Sequence, residues 1–243
     1  MNSPHVTIDK YSGKRYVISD IHGCYKTLTT LIEQKIKPSQ SDLLFFLGDY
    51  INRGPSSAQV IDYFLQLRNQ GYQVICLRGN HEENLLQIAK QYDQKTAAQI
   101  VRKLYKTFDL LTPSGVINQK YIDFFETLPY FIEMPDVYLV HGGFDYRKPK
   151  PFEDFSAMLN FYIDNTTYDI TLLNGKRMIH GHRVTPLNKI QDMVRNRSSI
   201  ISLDNGCVFV KEHRIHDVSK LGNLCCLEIN QMKLYFQKNV DFQ

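Results

Sequence analysis

The sequence predicts an α/β fold. From residue 15 onward, short apolar runs of strand length alternate with longer segments in which apolar residues recur at helical spacing. The composition agrees, because 43% hydrophobic and 22% charged residues are ordinary values for a globular protein. With 243 residues the chain can bury a sizeable core, and a prior of about 150 residues per domain allows one large domain or two small ones.

The first third of the chain is predicted to consist of successive strand–helix units. Residues 15–19, 43–47 and 72–77 are three apolar runs of strand length. Helical spacing follows the first run until Pro38, and a second helical segment ends near Gly71. Helical spacing then persists from about residue 82 to residue 134, interrupted by a turn signal at 112–115, which predicts a helical insertion.

The second half of the chain is predicted to be rich in strands. The sequence has no internal repeat and no linker long enough to separate independent domains. We therefore predict an N-terminal extension over residues 1–14 and a single domain over residues 15–243, with the helical insertion at about 82–134. The strand-like runs of this half are residues 137–140, 177–179, 199–203, 224–229 and 233–236.

Charge and cysteine content exclude several classes of protein. Lys and Arg outnumber Asp and Glu by 29 to 25, an excess too small to predict a nucleic-acid or membrane partner. No apolar run approaches the roughly 18 residues of a membrane span, and the N-terminus is polar, so we predict a cytoplasmic protein. The five cysteines form no CxxC pair, which predicts reduced thiols and no structural zinc. The oligomeric state stays open.

Side chains that can bind metal follow five of the predicted strands, at the point where each strand ends. Because ligands of α/β sheets bind at the carboxyl ends of strands, we expect these groups to converge on one place. Mixed carboxylate, amide and imidazole ligands suit Mn²⁺, Fe²⁺ or Zn²⁺. The metal-capable side chains are Asp20, His22, Asp49, Asn80, His81, His141, His180 and His182.

The same groups lie in five short blocks of sequence. In their order these blocks resemble the signature of the calcineurin-like metallophosphoesterases, and in particular the phosphoprotein phosphatase branch with its compact bacterial and phage members. The later segment LDNGC at 203–207 looks like a family strand, so the resemblance covers nearly the whole chain. The five blocks are DIHG at 20–23, GDYINRGP at 48–55, GNHE at 79–82, HGG at 141–143 and GH at 181–182.

The resemblance implies a four-layer α/β/β/α sandwich, in which two mixed β-sheets are flanked by helices. It also implies two divalent metal ions, with Mn²⁺ expected first and Fe or Zn as alternatives. Such a pair neutralises a phosphate and lowers the pKa of a water aligned for in-line attack on phosphorus. By resemblance, Asp20 and His22 hold the first ion, Asp49 bridges both, and Asn80, His141 and His182 hold the second.

Further roles follow from the same resemblance. His81 would protonate the leaving group, and Arg53 would bind phosphate oxygens together with Asn80. Arg177 is a further candidate for phosphate binding, because it opens the strand that leads to His182, although a solvated charge at a strand end is the competing interpretation.

Asn52 departs from the family pattern, which has aspartate at this position, paired with the catalytic histidine. An amide can accept an imidazole N–H through its oxygen, but it brings no charge. The pKa of His81 and its strength as an acid catalyst are therefore expected to be lower, and we assign Asn52 to the catalytic group with that reservation.

Three functions remain open at this stage. The first is a phosphatase that acts on phosphomonoesters, with phosphoserine, phosphothreonine or phosphotyrosine in proteins, or a small phosphoester, as substrate. The second is a symmetrical dinucleoside tetraphosphatase, because such enzymes share every block. The third is a slow or non-catalytic phosphate-binding protein, suggested by Asn52. The metal ligand in the HGH segment at 180–182 is also open. We predict that His182 alone binds metal, and the alternative is that His180 binds it as well.

Overall fold

A computed structural model describes residues 4–9, 11–163, 168–212, 214–215 and 217–242. Within these residues ten strands form two sheets of five strands each. The strands are β1 His5–Thr7, β2 Arg15–Ile18, β3 Leu43–Phe46, β4 Gln73–Cys76, β5 Phe131–Glu133, β6 Val137–Val140, β7 Arg177–His180, β8 Ile200–Ser202, β9 Asn223–Glu228 and β10 Lys233–Lys238.

Both sheets are mixed. The first has the order β10-β9-β2-β3-β4, in which β2, β3 and β4 are parallel and β9 and β10 are antiparallel to their neighbours. The second has the order β1-β5-β6-β7-β8, in which β6, β7 and β8 are parallel. Each sheet therefore gathers three carboxyl ends at a single edge, which is where the predicted metal ligands follow the strands.

Helices and helical turns connect the strands. Two π-helical turns, Leu31–Ile36 and Val101–Tyr105, continue α1 and α4. Three short 3-10 turns lie at Pro151–Glu153, Ile170–Leu173 and Val218–Lys220. The α-helices are α1 Tyr25–Thr30, α2 Ser57–Asn69, α3 Asn80–Gln91, α4 Gln94–Ile100, α5 Gln119–Glu126, α6 Phe155–Asn160 and α7 Leu187–Arg195. Within the described residues, no helix combines the length and apolar character that crossing a membrane requires.

The two sheets pack face to face, and the alternation of side chains along each strand separates three layers of core. Val17 and Phe45 lie in the core between the sheets, together with Ile179 of the second sheet. Their neighbours Ile18 and Phe46 point to the opposite face and pack against the helices of the first sheet. The outer face of the second sheet is covered by a separate cluster that includes α6. The predicted four-layer sandwich is confirmed.

Two strands lie where the sequence predicts none. Strand β1 falls within the predicted N-terminal extension and pairs in parallel with β5, so part of that extension belongs to the sheet. Residues 1–3 and residue 10 of the predicted extension lie outside the described residues. Strand β5 falls within the range predicted as helical and pairs with both β1 and β6. The rest of that range contains α3, α4 and α5, as expected of a helical insertion.

Candidate metal centre

The predicted ligands meet at the edge where the parallel strands of both sheets end. Asp49 lies at the centre, three residues beyond β3, and its carboxylate is buried. The Nε2 atom of His22 lies 3.6 Å from Asp49 Oδ2, and Nε2 of His141 lies 3.4 Å from Oδ1. Possible ligand atoms converge in two groups, and within each group all atoms lie within 4.8 Å of one another. The first group is His22, Asp49 and His81, and the second is Asp49, His141 and His182. Asp49 is common to both, as a bridging ligand must be.

Hydrogen bonds orient the imidazole of His22 as a ligand. Its Nδ1–H donates to the carbonyl oxygen of Ile51 at 3.1 Å, which leaves the Nε2 lone pair facing Asp49. The guanidinium of Arg53 donates from Nη1 to that lone pair at 2.9 Å. Burial and the charge of Arg53 hold the pKa of His22 well below its usual value. The ring is therefore neutral, which is the form that binds a metal ion.

The amide oxygen of Asn80 joins the two imidazoles of the second group. His141 donates from Nδ1 to the carbonyl oxygen of Leu47 at 2.9 Å, so its Nε2 lone pair also faces the centre. The Oδ1 atom of Asn80 lies 3.0 Å from His141 Nε2 and 3.1 Å from His182 Nδ1. Burial lowers the pKa of His182 to about 3, so this ring is neutral as well. Three electron-pair donors thus face one point, and this donor set fits a divalent cation.

Two further carboxylates are buried beside Asp49. Both oxygens of Asp20 accept the backbone N–H of His182, at 3.2 and 3.0 Å. A Cβ on Gly181 would lie 2.1 Å from Asp20 Oδ1, so only glycine fits there. Burial, Asp204 and Asp49 raise the pKa of Asp20 well above its usual value. Burial also raises the pKa of Asp204 to about 6.

The charge of Asp49 itself is stabilised. Burial works to raise the pKa of its carboxyl group, but the imidazoles of His141, His81 and His22 lower it below the usual value. The backbone N–H of His81 adds a hydrogen bond to Oδ1 at 3.0 Å. Asp49 is therefore a carboxylate at neutral pH, whereas burial makes negative charge unfavourable on Asp20 and Asp204.

The backbone of the site is strained. Five of its residues that are not glycine have left-handed φ angles, a conformation that costs such a residue of order 1 to 3 kcal/mol. The strained residues are His22 at 48°, Asp49 at 53°, Asn52 at 68°, Arg53 at 69° and His182 at 62°.

The sequence model of the calcineurin-like phosphoesterase family matches residues 13–215, which include every predicted ligand. The chain belongs to the calcineurin-like phosphoesterase family. The superfamily predicted from the five sequence blocks is thereby confirmed.

Among curated proteins the phosphoesterase is similar to symmetrical bis(5'-nucleosyl)-tetraphosphatases. It is 35% identical over 95 residues to the protein from Buchnera aphidicola subsp. Baizongia pistaciae, an alignment that covers 39% of this chain and 33% of that protein. It is 34% identical over 128 residues to the protein from Pseudomonas syringae pv. syringae, with 53% and 41% covered. The alignments thus span less than half the length of either relative.

Solved structures show the same fold at lower sequence identity. A putative diadenosine tetraphosphatase has a TM-score of 0.64 at 21% identity, with 96% of each chain covered. A protein serine/threonine phosphatase from Saccharomyces cerevisiae has a TM-score of 0.64 at 15% identity, with 98% of this chain and 85% of that chain covered. A cold-active protein tyrosine phosphatase has a TM-score of 0.57 at 20% identity, with 97% and 82% covered.

The phosphoesterase places His81, Asn52 and Thr107 in one buried cluster beside the ligands. His81 Nε2 lies 3.9 Å from Asp49 Oδ2, which turns this edge of the ring toward the centre. Asn52 Nδ2 donates to His81 Nδ1 at 2.8 Å, and Asn52 Oδ1 accepts the hydroxyl of Thr107 at 2.6 Å. The amide of Asn52 thus bridges the ring of His81 and the hydroxyl of Thr107.

The two arginines predicted to bind phosphate lie at opposite edges of the fold. Arg53 is exposed, yet its guanidinium reaches His22, so it borders the metal ligands. Arg177 is the first residue of β7, at the amino end, where its backbone N–H donates to the carbonyl of Asp136. Asp136 also pairs with Arg15, the first residue of β2. This position does not support phosphate binding by Arg177, because the ligands follow the carboxyl ends of these strands.

Besides Thr107, three residues close to the predicted ligands in sequence or structure were not among the predicted site residues. Asp204 follows β8 just as Asp49 follows β3, and this strand-end position was the available signal. Glu82 is fully buried, and its carboxyl group accepts the backbone N–H groups of Asp49 and Tyr50. These residues belong to the loop that follows β3, called here the Asp49 loop. Arg183 follows His182 directly and lies over the ring of Tyr162, 4.8 Å from its centroid.

The two histidines of the HGH segment point in different directions. His180 is fully buried, and its Nδ1 donates to the carbonyl oxygen of Gly181 at 2.9 Å. It belongs to neither group of converging ligand atoms within the described part of the chain, whereas His182 belongs to one of them. That His182 is the sole ligand of this segment stays a prediction, and the geometry favours it over the register that adds His180.

We expect His182→Ala to lose one bound Mn²⁺ per chain and most of its activity, because it removes one of three converging donors, the others being Asn80 and His141. His180→Ala should keep the metal content of the parent protein. Metal content per chain after dialysis, measured by elemental analysis, distinguishes the two variants. Equal loss of metal in both would contradict the assignment and add His180 to the ligands.

Proposed function

We propose that this phosphoesterase is a metal-dependent phosphatase that uses water to hydrolyse the P–O bond of a phosphate ester or a phosphoanhydride. The observation that carries the proposal is the position of Asp49, whose Oδ2 faces Nε2 of His22 and whose Oδ1 faces Nε2 of His141. In this proposal Asp20 and His22 hold one cation with Asp49. The second is held by Asp49 with Asn80, His141 and His182.

When bound, the two cations, with Mn²⁺ proposed before Fe or Zn, would neutralise the substrate phosphate and acidify a water molecule placed for in-line attack. The neutral rings of His22 and His182 supply lone pairs without competing protons, and His141 turns its Nε2 toward Asp49. Asp49 supplies the negative charge, and the fixed Nδ1–H bonds of His22 and His141 keep both rings in their binding orientation.

Arg53 and His81 are proposed to act on the substrate itself. The guanidinium of Arg53 is exposed on one side and reaches His22 on the other, so a phosphate bound at the centre would meet its planar N–H groups. Asn80 would contribute to phosphate binding beside it. His81 turns its Nε2 edge toward Asp49, where it would contact the oxygen of the leaving group.

Two substrate classes are supported by different observations. The resemblance to the phosphoprotein phosphatase branch supports phosphomonoesters, including phosphorylated proteins, although dinucleoside tetraphosphatases share the same blocks. The curated relatives favour dinucleoside tetraphosphates, since those proteins are named as symmetrical bis(5'-nucleosyl)-tetraphosphatases.

A substrate panel tests the proposal. We expect hydrolysis of para-nitrophenyl phosphate in Mn²⁺, and the relative rates on phosphopeptides and diadenosine tetraphosphate identify the substrate class. His141→Ala is the control for contaminating phosphatases, because it removes a buried ligand of the second group. Failure to hydrolyse any of these substrates, with metal bound, would contradict the proposal and favour a non-catalytic phosphate-binding protein.

We further expect two Mn²⁺ ions per chain, within about 3.5 to 4 Å of each other and with Asp49 between them. Protein stripped with a chelator and titrated with Mn²⁺ gives the stoichiometry, and anomalous scattering gives the positions. One ion at full occupancy, or an Asp49 carboxylate that contacts neither ion, would contradict the two-metal arrangement.

A further inference from the structure

A cavity opens beside the metal centre, on the side of Arg53. Its volume is about 540 Å³, within the range of about 300 to 1,000 Å³ that is typical of sites for small molecules. Apart from Arg53, its lining residues come from the loop between β8 and β9. Because the guanidinium of Arg53 contacts His22, the cavity begins one side chain away from the predicted ligands. The lining residues are Arg53, Phe209, Glu212, Arg214 and Ile215.

The ring of Phe209 is held in place on the wall of this cavity. The backbone N–H of Phe209 donates to the carbonyl oxygen of Gly206 at 2.9 Å, in a turn where Gly206 has a φ of 64°. A Cβ at position 206 would lie 2.7 Å from Cδ2 of the ring, so the ring packs directly against the glycine. The N–H of Gly206 donates to Asp204 Oδ1 at 2.6 Å. The end of β8 therefore fixes the position of the ring.

Arg53 lies between this ring and the metal ligands. Its Cζ atom lies over the ring of Phe209, 5.7 Å from the centroid, and its Nη1 donates to Nε2 of His22 at 2.9 Å. The side chain is exposed, and a guanidinium has five N–H donors, so donors are left for a ligand. A group that stacks on Phe209 is therefore separated from the reacting phosphorus by the width of a guanidinium.

This separation distinguishes between classes of phosphate substrate. The ring of phosphotyrosine is joined to its phosphorus through a single oxygen, and phosphoserine has no aromatic group, so neither places a ring beyond Arg53. A nucleoside polyphosphate does, because further phosphates lie between its base and the reacting phosphorus. The oxygens of those phosphates match the planar N–H groups of a guanidinium. The arrangement of Arg53 and Phe209 therefore favours a nucleoside polyphosphate.

The other side chains of the cavity suit the same class of ligand. Nucleobases stack on aromatic side chains, and Ile215, which is 75% exposed, offers a second apolar surface in the cavity. Arg214 adds a positive charge for the phosphate chain. The carboxylate of Glu212 is an acceptor for the N–H groups of a base. The cavity thus combines an apolar face for a base with cations for phosphates.

We propose that this cavity is a nucleoside site, in which the base of a nucleoside polyphosphate stacks on Phe209 while its phosphate chain crosses Arg53 to the metal centre. Phe209 is then the residue that determines the substrate class. This inference rests on the proposed phosphatase function, and it adds the loop between β8 and β9 to the substrate site.

The first test compares kcat/KM in Mn²⁺ on diadenosine tetraphosphate and on para-nitrophenyl phosphate, whose ring lies one oxygen from phosphorus. Phe209→Ala should raise KM for diadenosine tetraphosphate by about 5 to 150-fold, because alanine substitution of an aromatic partner weakens base stacking by such a factor. The ratio of the two kcat/KM values should fall accordingly. A ratio that stays at the parent value, with the fold intact, would overturn the role of Phe209.

Two conservative variants separate base stacking from packing against Arg53. Phe209→Tyr keeps the aromatic face and should keep the parent ratio. Phe209→Leu keeps an apolar side chain beside Arg53 without an aromatic face, and it should lower the ratio. Phe236→Ala, at an exposed position of the edge strand β10, is the matched control. A parent ratio in Phe209→Leu would show that Phe209 only packs against Arg53, and would overturn the nucleoside site.

A binding experiment separates this inference from the proposed function. Isothermal titration calorimetry of the Mn²⁺-loaded protein compares β,γ-methylene-ATP with the β,γ-methylene analogue of inorganic triphosphate, which has the same chain and no nucleoside. We expect the parent protein to bind the nucleotide at least about fivefold more tightly and Phe209→Ala to lose this preference. Equal affinities in the parent would overturn the nucleoside site, even if phosphoesters are hydrolysed. A preference that depends on Phe209, without turnover of any substrate, would instead overturn the proposed function and leave the nucleoside site standing.

Discussion

Asp49→Asn should abolish the binding of both cations and lower kcat on para-nitrophenyl phosphate by more than about 10³-fold. Removal of a single electrostatic donor from an active site costs about 10² to 10³-fold, and this substitution removes the charge that both groups of ligands share. Asparagine keeps the size of the side chain and an oxygen that can accept the backbone N–H of His81. The loss should therefore reflect charge rather than a change in fold.

The measurement is metal content per chain together with kcat at saturating Mn²⁺. Asp123→Asn, at an exposed position of α5, is the matched control and should behave as the parent protein. An Asp49→Asn variant that retains two ions and parent activity would show that Asp49 is not the bridging ligand.

Glu82→Ala should lower the free energy of unfolding by about 3 to 5 kcal/mol, because each buried donor left without an acceptor costs about 1 to 3 kcal/mol. Oε2 accepts the backbone N–H groups of Asp49 and Gly79, at 2.9 and 3.0 Å. Oε1 accepts those of Tyr50 and Ile51, at 2.8 and 3.3 Å. Removal of the carboxylate leaves four buried donors without an acceptor. Glutamine does not replace it, because its NH₂ would face two of these N–H groups.

Thermal unfolding of the metal-free protein measures this effect without the contribution of bound cations. For a chain of this size, each kcal/mol shifts Tm by about 2 to 4 °C, so Glu82→Ala should lower Tm by about 6 to 20 °C. Glu126→Ala is the control, since Glu126 is exposed and its pairing with Lys90 at 3.4 Å is worth at most about 1 kcal/mol. Similar small shifts in both variants would show that Glu82 is not needed to hold the Asp49 loop.

Much of the site could be predicted from sequence because strand ends are easy to recognise. Apolar runs such as LLFF and VYLV are fully buried strands, and a polar residue that follows such a run must lie at the edge of the sheet. The parallel order of the central strands then brings Asp49, His141 and His182 together. The ligand set was predicted by resemblance, and this topology supplies the physical reason for it.

Other features depend on contacts that sequence patterns do not contain. Strands β1 and β5 are three residues long, too short to display an alternation of apolar and polar side chains. Glu82 lies in the first turn of α3, where a glutamate is favourable even when it is exposed to solvent. Only the packing of the Asp49 loop buries it. The orientation of Asn52 depends on Thr107, a residue of the helical insertion with no pattern that links the two.

The left-handed backbone at five site residues has a consequence for how such a chain evolves. Glycine adopts this conformation without penalty and asparagine adopts it more readily than most residues, so selection for a more stable fold and selection for catalysis favour different residues at the same positions. A lineage released from the need for catalysis should therefore accumulate glycine and asparagine at His22, Asp49, Arg53 and His182. Asn52, at a φ of 68°, is already a residue that this backbone accepts easily.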